Sequence, residues 1–380
     1  MDKRAVMPSF FAVAFVWFTT HFGGGFASGQ QVVQYYVSYG WYAAIMPILS
    51  QALEGLIFYY AWKFALDKRK WDYRSWSLEF YKPVQVVMAP VFEFMFQLIL
   101  VTATAVAFAT GGATLTTVFG TGYMMNTIII AASMLLLTIF GAEFVRKAAS
   151  VIAIAIIVGV LIVYVPNVIA GWGKITSNLS GLKSGAIPNS GTFGQALWKM
   201  CVYAGFQACC LGAYLAHSDA LKDVRDAKKA AFWGFVINAV ILMISTLGIM
   251  AFYQDGILTQ SVPALFVVMN GVGAAWITPI VSILIILGAV STGVNLIYGT
   301  TNRILNYISR NEPEEVAKEK ETKRSIVISA VYVLATWAIA QFGLIPLIAK
   351  GYGTLGWVSV FVIIIPLLLR GFIGWQPADE

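Results

Sequence analysis

The stretch Phe22-Gly23-Gly24-Gly25-Phe26-Ala27-Ser28-Gly29-Gln30 puts four glycines into seven positions, in the middle of an apolar run over residues 8–38. A continuous helix gains nothing from this, because each interior glycine costs about 1 kcal/mol relative to alanine. Unwound backbone at membrane depth is tolerated only where it is buried in protein or lines a wet cavity. Three consecutive glycines exceed what close helix packing requires. The segment therefore reads as an interrupted membrane span bordering a site.

The rest of the chain supports lipid as its solvent. Hydrophobic residues make up 59% and charged residues 11%, mean hydropathy is +0.77, and average soluble proteins carry about 25% charged residues. Apolar runs long enough for a ~30 Å hydrocarbon core fall at 8–38, 41–66, 84–110, 122–141 and 144–170, and again at 193–217, 228–252, 273–305, 323–342 and 352–371. Residues 262–272 are half-apolar and read as re-entrant or lying on the surface. With the N-terminus inside, the basic runs at 67–70, 146–147, 222–229 and 303–324 all face the cytoplasm, and only Lys174, Lys183 and Lys350 lie in outer loops. That is the positive-inside rule. It places a multi-pass protein in the cell membrane with both termini cytoplasmic, and it explains the net charge of +7 without nucleic acid. The run after Met1 is too long for a signal peptide. The charged run 310–324 reads as a solvated connector, and Cys201, Cys209 and Cys210 as packing residues without disulfide or zinc spacing.

A second apolar run, the sixth, carries Tyr203-Ala204-Gly205-Phe206-Gln207 at its centre. Five spans separate the two interruptions, and an odd number inverts the second half relative to the first. Interrupted segments at corresponding positions of inverted halves point to a secondary transporter. Half-helix N-termini present N–H groups and positive dipole, and C-termini present carbonyls. The second half of span one, beginning near Phe26 and Ser28, would thus aim donors at an anionic group, with Gly23, Gly24 and Gly25 bordering the substrate, while carbonyls near Phe22 would face a cation.

The 23–30 stretch matches a GxGFASGQ pattern, and on it the chain resembles the amino acid-polyamine-organocation superfamily, nearest its YkvI-like membrane proteins. The resemblance implies an all-α membrane fold of about ten helices with a LeuT-type five-plus-five inverted repeat and broken helices 1 and 6. Residues 1–170 would form the first repeat, 171–192 an extracellular connector, 193–371 the second repeat and 372–380 a cytoplasmic tail.

In the eighth span, Ser291 and Thr292 stand three and four residues after Gly288, so two hydroxyls and a carbonyl share one helix face. Oxygen ligation suits a hard cation. The resemblance implies a sodium site completed by the carbonyls of Thr19 and Phe22. Alternatively, the hydroxyls bond back to their own helix. His21 and Lys199 are rival proton-coupling residues, because ionisable groups inside a membrane are functional hypotheses by default. Glu54 and Glu93 are candidate acids. Glu93, on one face with Gln97, is open to three roles: binding a substrate ammonium, pairing with Lys199, or sitting in water near the cytoplasmic end. Asn295 is the remaining polar residue near the cation position.

Tyr203, Ala204, Gly205, Phe206, Gln207 and Trp17, with the span-one backbone, suit a small polar or zwitterionic molecule such as an amino acid or amine. The expectation is a sodium-coupled symporter working by alternating access, with a proton-coupled carrier or antiporter as the alternative. A channel would need a continuous polar pore and a sensor an added domain. An enzyme would need a metal or nucleophile constellation, and the chain's two histidines, His21 and His217, form none. Partners are then the solute, Na+ and the bilayer, with no further cofactor. Substrate identity, direction and oligomeric state are not legible.

Overall fold

The computed structural model describes residues 8–188 and 191–374, and every regular element within them is helical. The first half begins with three short helices, α1 (Ser9–His21), α2 (Gly24–Ala27) and α3 (Gln30–Tyr35). It continues through α4 (Met46–Lys68), α5 (Tyr73–Phe80), α6 (Gln85–Phe119), α7 (Tyr123–Phe140), α8 (Ala142–Ala170) and α9 (Trp172–Ser184). The second half comprises α10 (Phe193–Cys209), α11 (Leu211–Leu215), α12 (Val224–Met250), α13 (Pro263–Asn270), α14 (Ala274–Ser309), α15 (Glu314–Ala340) and α16 to α18 (Leu344–Pro346, Gly353–Ser359, Ile365–Ile373). The last three are joined by wide π-helical turns into one 30-residue span.

Seven helices are long and apolar enough to cross a membrane, and the bent pair Val37–Ala44 with Met46–Lys68 brings the number to 8. The two further spans are the interrupted ones that open each half. The burial pattern is inside-out relative to a water-soluble protein: Phe140, Val86 and Phe372 lie outward, while Ser50, Gln51, Glu54, Thr104, Thr110 and Thr114 are wholly enclosed. Apolar outward side chains are stable only against lipid. The protein is an all-α, multi-span membrane protein.

Helices α1, α4, α10 and α12 pack on one another, and α6, α7, α14 and α15 form a second group, with α8 bridging α12 and α14. The face at which α1 starts and α18 ends also carries α5, whose N-cap Asp72 accepts from Ser75 N at 2.9 Å and whose end meets Arg370 of α18. The opposite face carries α9 and α13. Residues 172–184 of the expected connector thus form helix α9, held where Asn178 Nδ2 donates to Met250 O at 2.9 Å.

Three expectations are revised. The charged run 310–324 is not an open connector: α14 reaches Ser309 and α15 starts at Glu314, so only four residues separate them. Acidic residues in the first turn of α15 and the Glu314–Lys318 pair at 2.9 Å, one turn apart, suit helix. The 262–272 stretch becomes α13, whose Ala264, Leu265, Val267 and Val268 are buried rather than on the surface. The sixth span breaks at Cys210, not at residues 203–207, which lie in unbroken α10. The side chains of Arg146 and Lys147, and the ends 1–7 and 375–380, lie outside the described residues.

Candidate functional site

Span one breaks twice. Helix α1 ends at His21, with Phe22 N donating to Phe18 O at 3.0 Å, and Gly23 is extended. The short α2 follows, then Gly29 at φ +81° turns the chain into α3. At the first break, a Cβ on Gly23 would lie 3.2 Å from Thr292 Oγ1, so α14 approaches the unwound backbone closely. At the second, the carbonyl of Ser28 accepts from Ala264 N at 2.9 Å, which seats α13 on the broken span.

A cavity of about 450 Å³ lies at the first break, within the range of small-molecule sites. Its polar lining comprises Thr19, Thr20, His21, Gln31, Gln207, Cys210, Ser291, Thr292 and Asn295. Phe18, Phe22, Phe96, Phe206 and Tyr352 supply aromatic walls. It extends along α1 as far as Phe15 and along α8 from Ile157 to Ile152, so it runs from the break toward the face with the chain ends. On the other side it is roofed by rings: Phe206 stacks on Tyr352 at 4.7 Å, and Tyr35 meets Phe206 at 5.4 Å and donates its hydroxyl to Ile348 O.

All five residues of the expected cation site, Thr19, Phe22, Gly288, Ser291 and Thr292, border this cavity, together with His21, Gly23, Gly25, Phe206, Gln207 and Asn295. The last carbonyls of α1 lack onward helical partners, and Ser291 and Thr292 of α14 line the same cavity. The other nominated residues stand elsewhere. Phe26 packs edge-on against Phe22, and the Ser28 hydroxyl is engaged locally, donating to Gly25 O at 2.8 Å and accepting from Gln30 N. Donors at the break thus begin at α2, starting with Gly24, rather than at Phe26 and Ser28. Ala204 is buried, and Gly205 packs on the backbone of Gly356 in α17. Trp17 is buried against Phe58.

Tyr203 is enclosed among Tyr35, Tyr36 and Phe206 and does not itself line the cavity; its hydroxyl lies 2.5 Å from His21 Nε2 and also engages the Gln207 side chain. Lys199 lies a turn farther out, with Nζ 5.8 Å from the ring of Tyr35. Glu93 accepts from Tyr73 on α5 at 3.2 Å, at the end of the bundle, and neither it nor Gln97 lines the cavity. The α6 face that does is Phe96, Ile99, Leu100 and Ala103.

Sequence reasoning passed over Thr20, Gln31, Phe96, Cys210 and Tyr352. Gln31 and Cys210 flank the two breaks and were findable from that position. Tyr352 comes from the tenth span, with no local signal to mark it.

No family model and no curated protein matches this chain. Solved structures do match in fold. The manganese transporter of Eremococcus coleocola bound to an aromatic bis-isothiourea compound is 15% identical, with 100% of this chain and 91% of that chain covered and a TM-score of 0.51. A histidine-to-alanine variant of that transporter is 15% identical at the same coverage, with a TM-score of 0.49. A glutamate-to-alanine variant is 15% identical over 98% of this chain and 88% of that chain, with a TM-score of 0.47. These findings correct the family reading drawn from residues 23–30: the fold likeness reported above is to a manganese transporter, and no family model or curated protein ties the chain to the amino acid-polyamine-organocation or YkvI-like proteins. What the likeness shows is the all-helical membrane fold alone.

Proposed function

We propose that the protein is a secondary transporter that moves a small polar or zwitterionic organic solute through the cavity at the first break. A monovalent cation held by the Thr19 and Phe22 carbonyls, Gly288 and the Ser291 and Thr292 hydroxyls would be its coupling ion. The observation that carries this reading is the convergence of these groups on one 450 Å³ cavity that is roofed on one side and extends toward the other. Hydroxyls, amides and aromatic faces recognise an organic solute, and a helix C-terminus with two hydroxyls suits a hard cation. Rocking of the α1/α4/α10/α12 group against α6, α7, α14 and α15 would expose the cavity alternately, and the bias of loop charges supports a cytoplasmic side for the chain ends.

A divalent metal as cargo, the manganese of the structural relatives, fits this lining less well. Manganese prefers carboxylate, carbonyl and water oxygens. The described lining holds neither aspartate nor glutamate, and no group of three or more His, Cys, Asp or Glu residues among the described residues is placed to hold a metal ion.

The test is the thermal stability of the purified full chain against a panel of amino acids, amines and Mn2+, each with sodium or potassium and at two pH values. A ligand of the folded state at 100 times its Kd adds about 2.7 kcal/mol. A stabilising organic solute whose effect requires sodium is the expected result. Stabilisation by Mn2+ alone would overturn the reading.

A further inference from the structure

Two turns beyond the cavity on α14 stands a guanidinium that neither the solute nor the cation site uses. Arg303 comes seven residues after Leu296 and eight after Asn295, both of which line the cavity, so the three share one helix face. Arg303 lies roughly 11 Å farther along that face, toward the end of the bundle where Glu93 meets α5. Its guanidinium carbon sits 5.4 Å from the centre of the Phe96 ring and 4.9 Å from that of Tyr73, and the two ring centres are 5.0 Å apart. Phe96 is itself a cavity wall, and a Cβ on Gly212 of α11 would lie 2.9 Å from its ring. One ring therefore touches the cavity, α11 and Arg303.

Stacking engages only the flat face of a guanidinium, and its five N–H groups point outward in the plane. Nη1 of Arg303 is enclosed and has no hydrogen-bond partner. Glu93, the acid of the same cluster, turns Oε1 to the Tyr73 hydroxyl at 3.2 Å. The charges acting on Tyr73 are the guanidinium groups of Arg303 and Arg74 against the single carboxylate of Glu93, so the cluster carries one positive charge in excess. Arg303 is partly buried and Arg74 is exposed. An enclosed charged donor without an acceptor is costly. A planar fork lying on two rings can turn in its own plane toward an acceptor and keep its stacking. A carboxylate or phosphate group presents two oxygens at the spacing of that fork.

We infer that Arg303 binds an oxyanion, a carboxylate or phosphate group, at the end of the bundle where the chain begins and ends. Arg74 is its second donor, and Glu93 is the charge that limits its affinity. An anion held there bridges α5 to α14 beside Phe96. The site stands apart from the solute and cation sites and does not rest on the proposed function. The oxyanion has two sources, a small anion in solution or the headgroup of an anionic lipid.

The test uses the purified full chain. In detergent, thermal stability is titrated with potassium acetate and with potassium phosphate against potassium chloride at constant ionic strength, and in lipid discs it is compared between phosphatidylcholine with and without phosphatidylglycerol. The anion should raise the unfolding midpoint of the wild type. Arg303→Gln should weaken the apparent affinity by roughly tenfold or more, the loss of hydrogen bonds to a charged group. Arg303→Lys, which keeps the charge without the fork, should fall between the two, and Glu93→Gln should bind more tightly than the wild type. Arg310→Gln, at an exposed arginine stacked on Tyr307, should behave as the wild type. A response already present in detergent assigns the site to a soluble anion. A response confined to phosphatidylglycerol discs and lost in Arg303→Gln assigns it to a lipid headgroup. No response of the wild type in either medium, or an equal response in Arg303→Gln, overturns the site. Should Arg303→Gln fail to fold, unchanged affinity in both Arg303→Lys and Glu93→Gln overturns it instead, because an arginine that serves only to balance Glu93 predicts that result.

Discussion

Gly205 of α10 and Gly356 of α17 approach so closely that a Cβ on Gly205 would lie 2.3 Å from the Gly356 carbonyl oxygen, and one on Gly356 would lie 2.1 Å from Val202 O. The pair is a helix–helix contact between the sixth and tenth spans, of the kind small residues make in membranes. Gly205→Ala should therefore destabilise the protein by about 1–3 kcal/mol through overpacking, read as a lower midpoint of thermal unfolding in detergent. Affinity for any stabilising solute, measured well below that midpoint, should stay within twofold. A selective loss of ligand affinity with normal stability would return Gly205 to the binding site.

The cation reading makes a separate claim about two hydroxyls. Ser291→Ala and Thr292→Ala should each weaken the sodium dependence of stability or uptake by roughly tenfold, the loss of about 1.4 kcal/mol of ligation. Folding should be largely retained, because both side chains face the cavity. Titrating sodium against thermal stability in each variant checks this, and unchanged sodium affinity in both would reject the site.

Gly29 combines a left-handed backbone, at φ +81°, with neighbours that leave little space: a Cβ would meet Tyr164 Oη at 2.9 Å and Ala264 N at 3.0 Å. Left-handed backbone costs a residue with a Cβ about 1–2 kcal/mol. Gly29→Ala should lower stability by at least that amount and loosen the Ser28–Ala264 hydrogen bond. Amide hydrogen exchange at Ala264 should rise in the variant, whereas exchange in α15 should not.

At the face with the chain ends, Arg324 binds Glu312 through both guanidinium nitrogens, at 2.5 and 2.8 Å. The hydrogen bonds from Arg324 hold the Glu312 carboxyl below its ordinary pKa. A depressed folded-state pKa means the pair stabilises above the unfolded value, near 4.3, and that contribution fades as pH falls through the folded value. The stability gap between wild type and Glu312→Gln should be small and visible at pH 7. It should shrink in high salt and close under acid conditions. A gap that widens with acid would reverse the sign.

The two kinds of sequence signal differed in how well they located the site. The glycine run at 23–25 marked the first break to within a residue, because only glycine lets α14 come within reach of unwound backbone at Gly23. The second break was displaced, because Gly205 looks the same in sequence whether it unwinds a helix or packs one against Gly356. Ser291 and Thr292 were legible from their helical spacing to Gly288. Glu93 misled through its depth in the apolar run: α6 is 35 residues long, so a residue eight positions from its start still lies near the bundle end, beside Tyr73. His21 stood out as an ionisable residue inside a span, but its placement with Nδ1 3.6 Å from Glu54 Oε2 depends on how α1 crosses α4, which no local pattern records. The charged run at 310–324 resembled a loop because a helix that leaves the membrane carries the same residues as a solvated connector.

That hairpin also bears on how the molecule could be handled. Helix α14 has 36 residues, about 54 Å at 1.5 Å per residue, against a hydrocarbon core of ~30 Å. Even with a strong tilt it emerges from the bilayer beside α15, and the two are joined by a four-residue turn that Glu312 and Arg324 brace. A 41.4 kDa protein otherwise hidden in a micelle gives electron microscopy little to align on. The α14–α15 tip is a stiff handle into which a helical scaffold could be spliced, or against which a nanobody could be raised, so that particle orientation is set from outside the membrane while the cavity is left untouched.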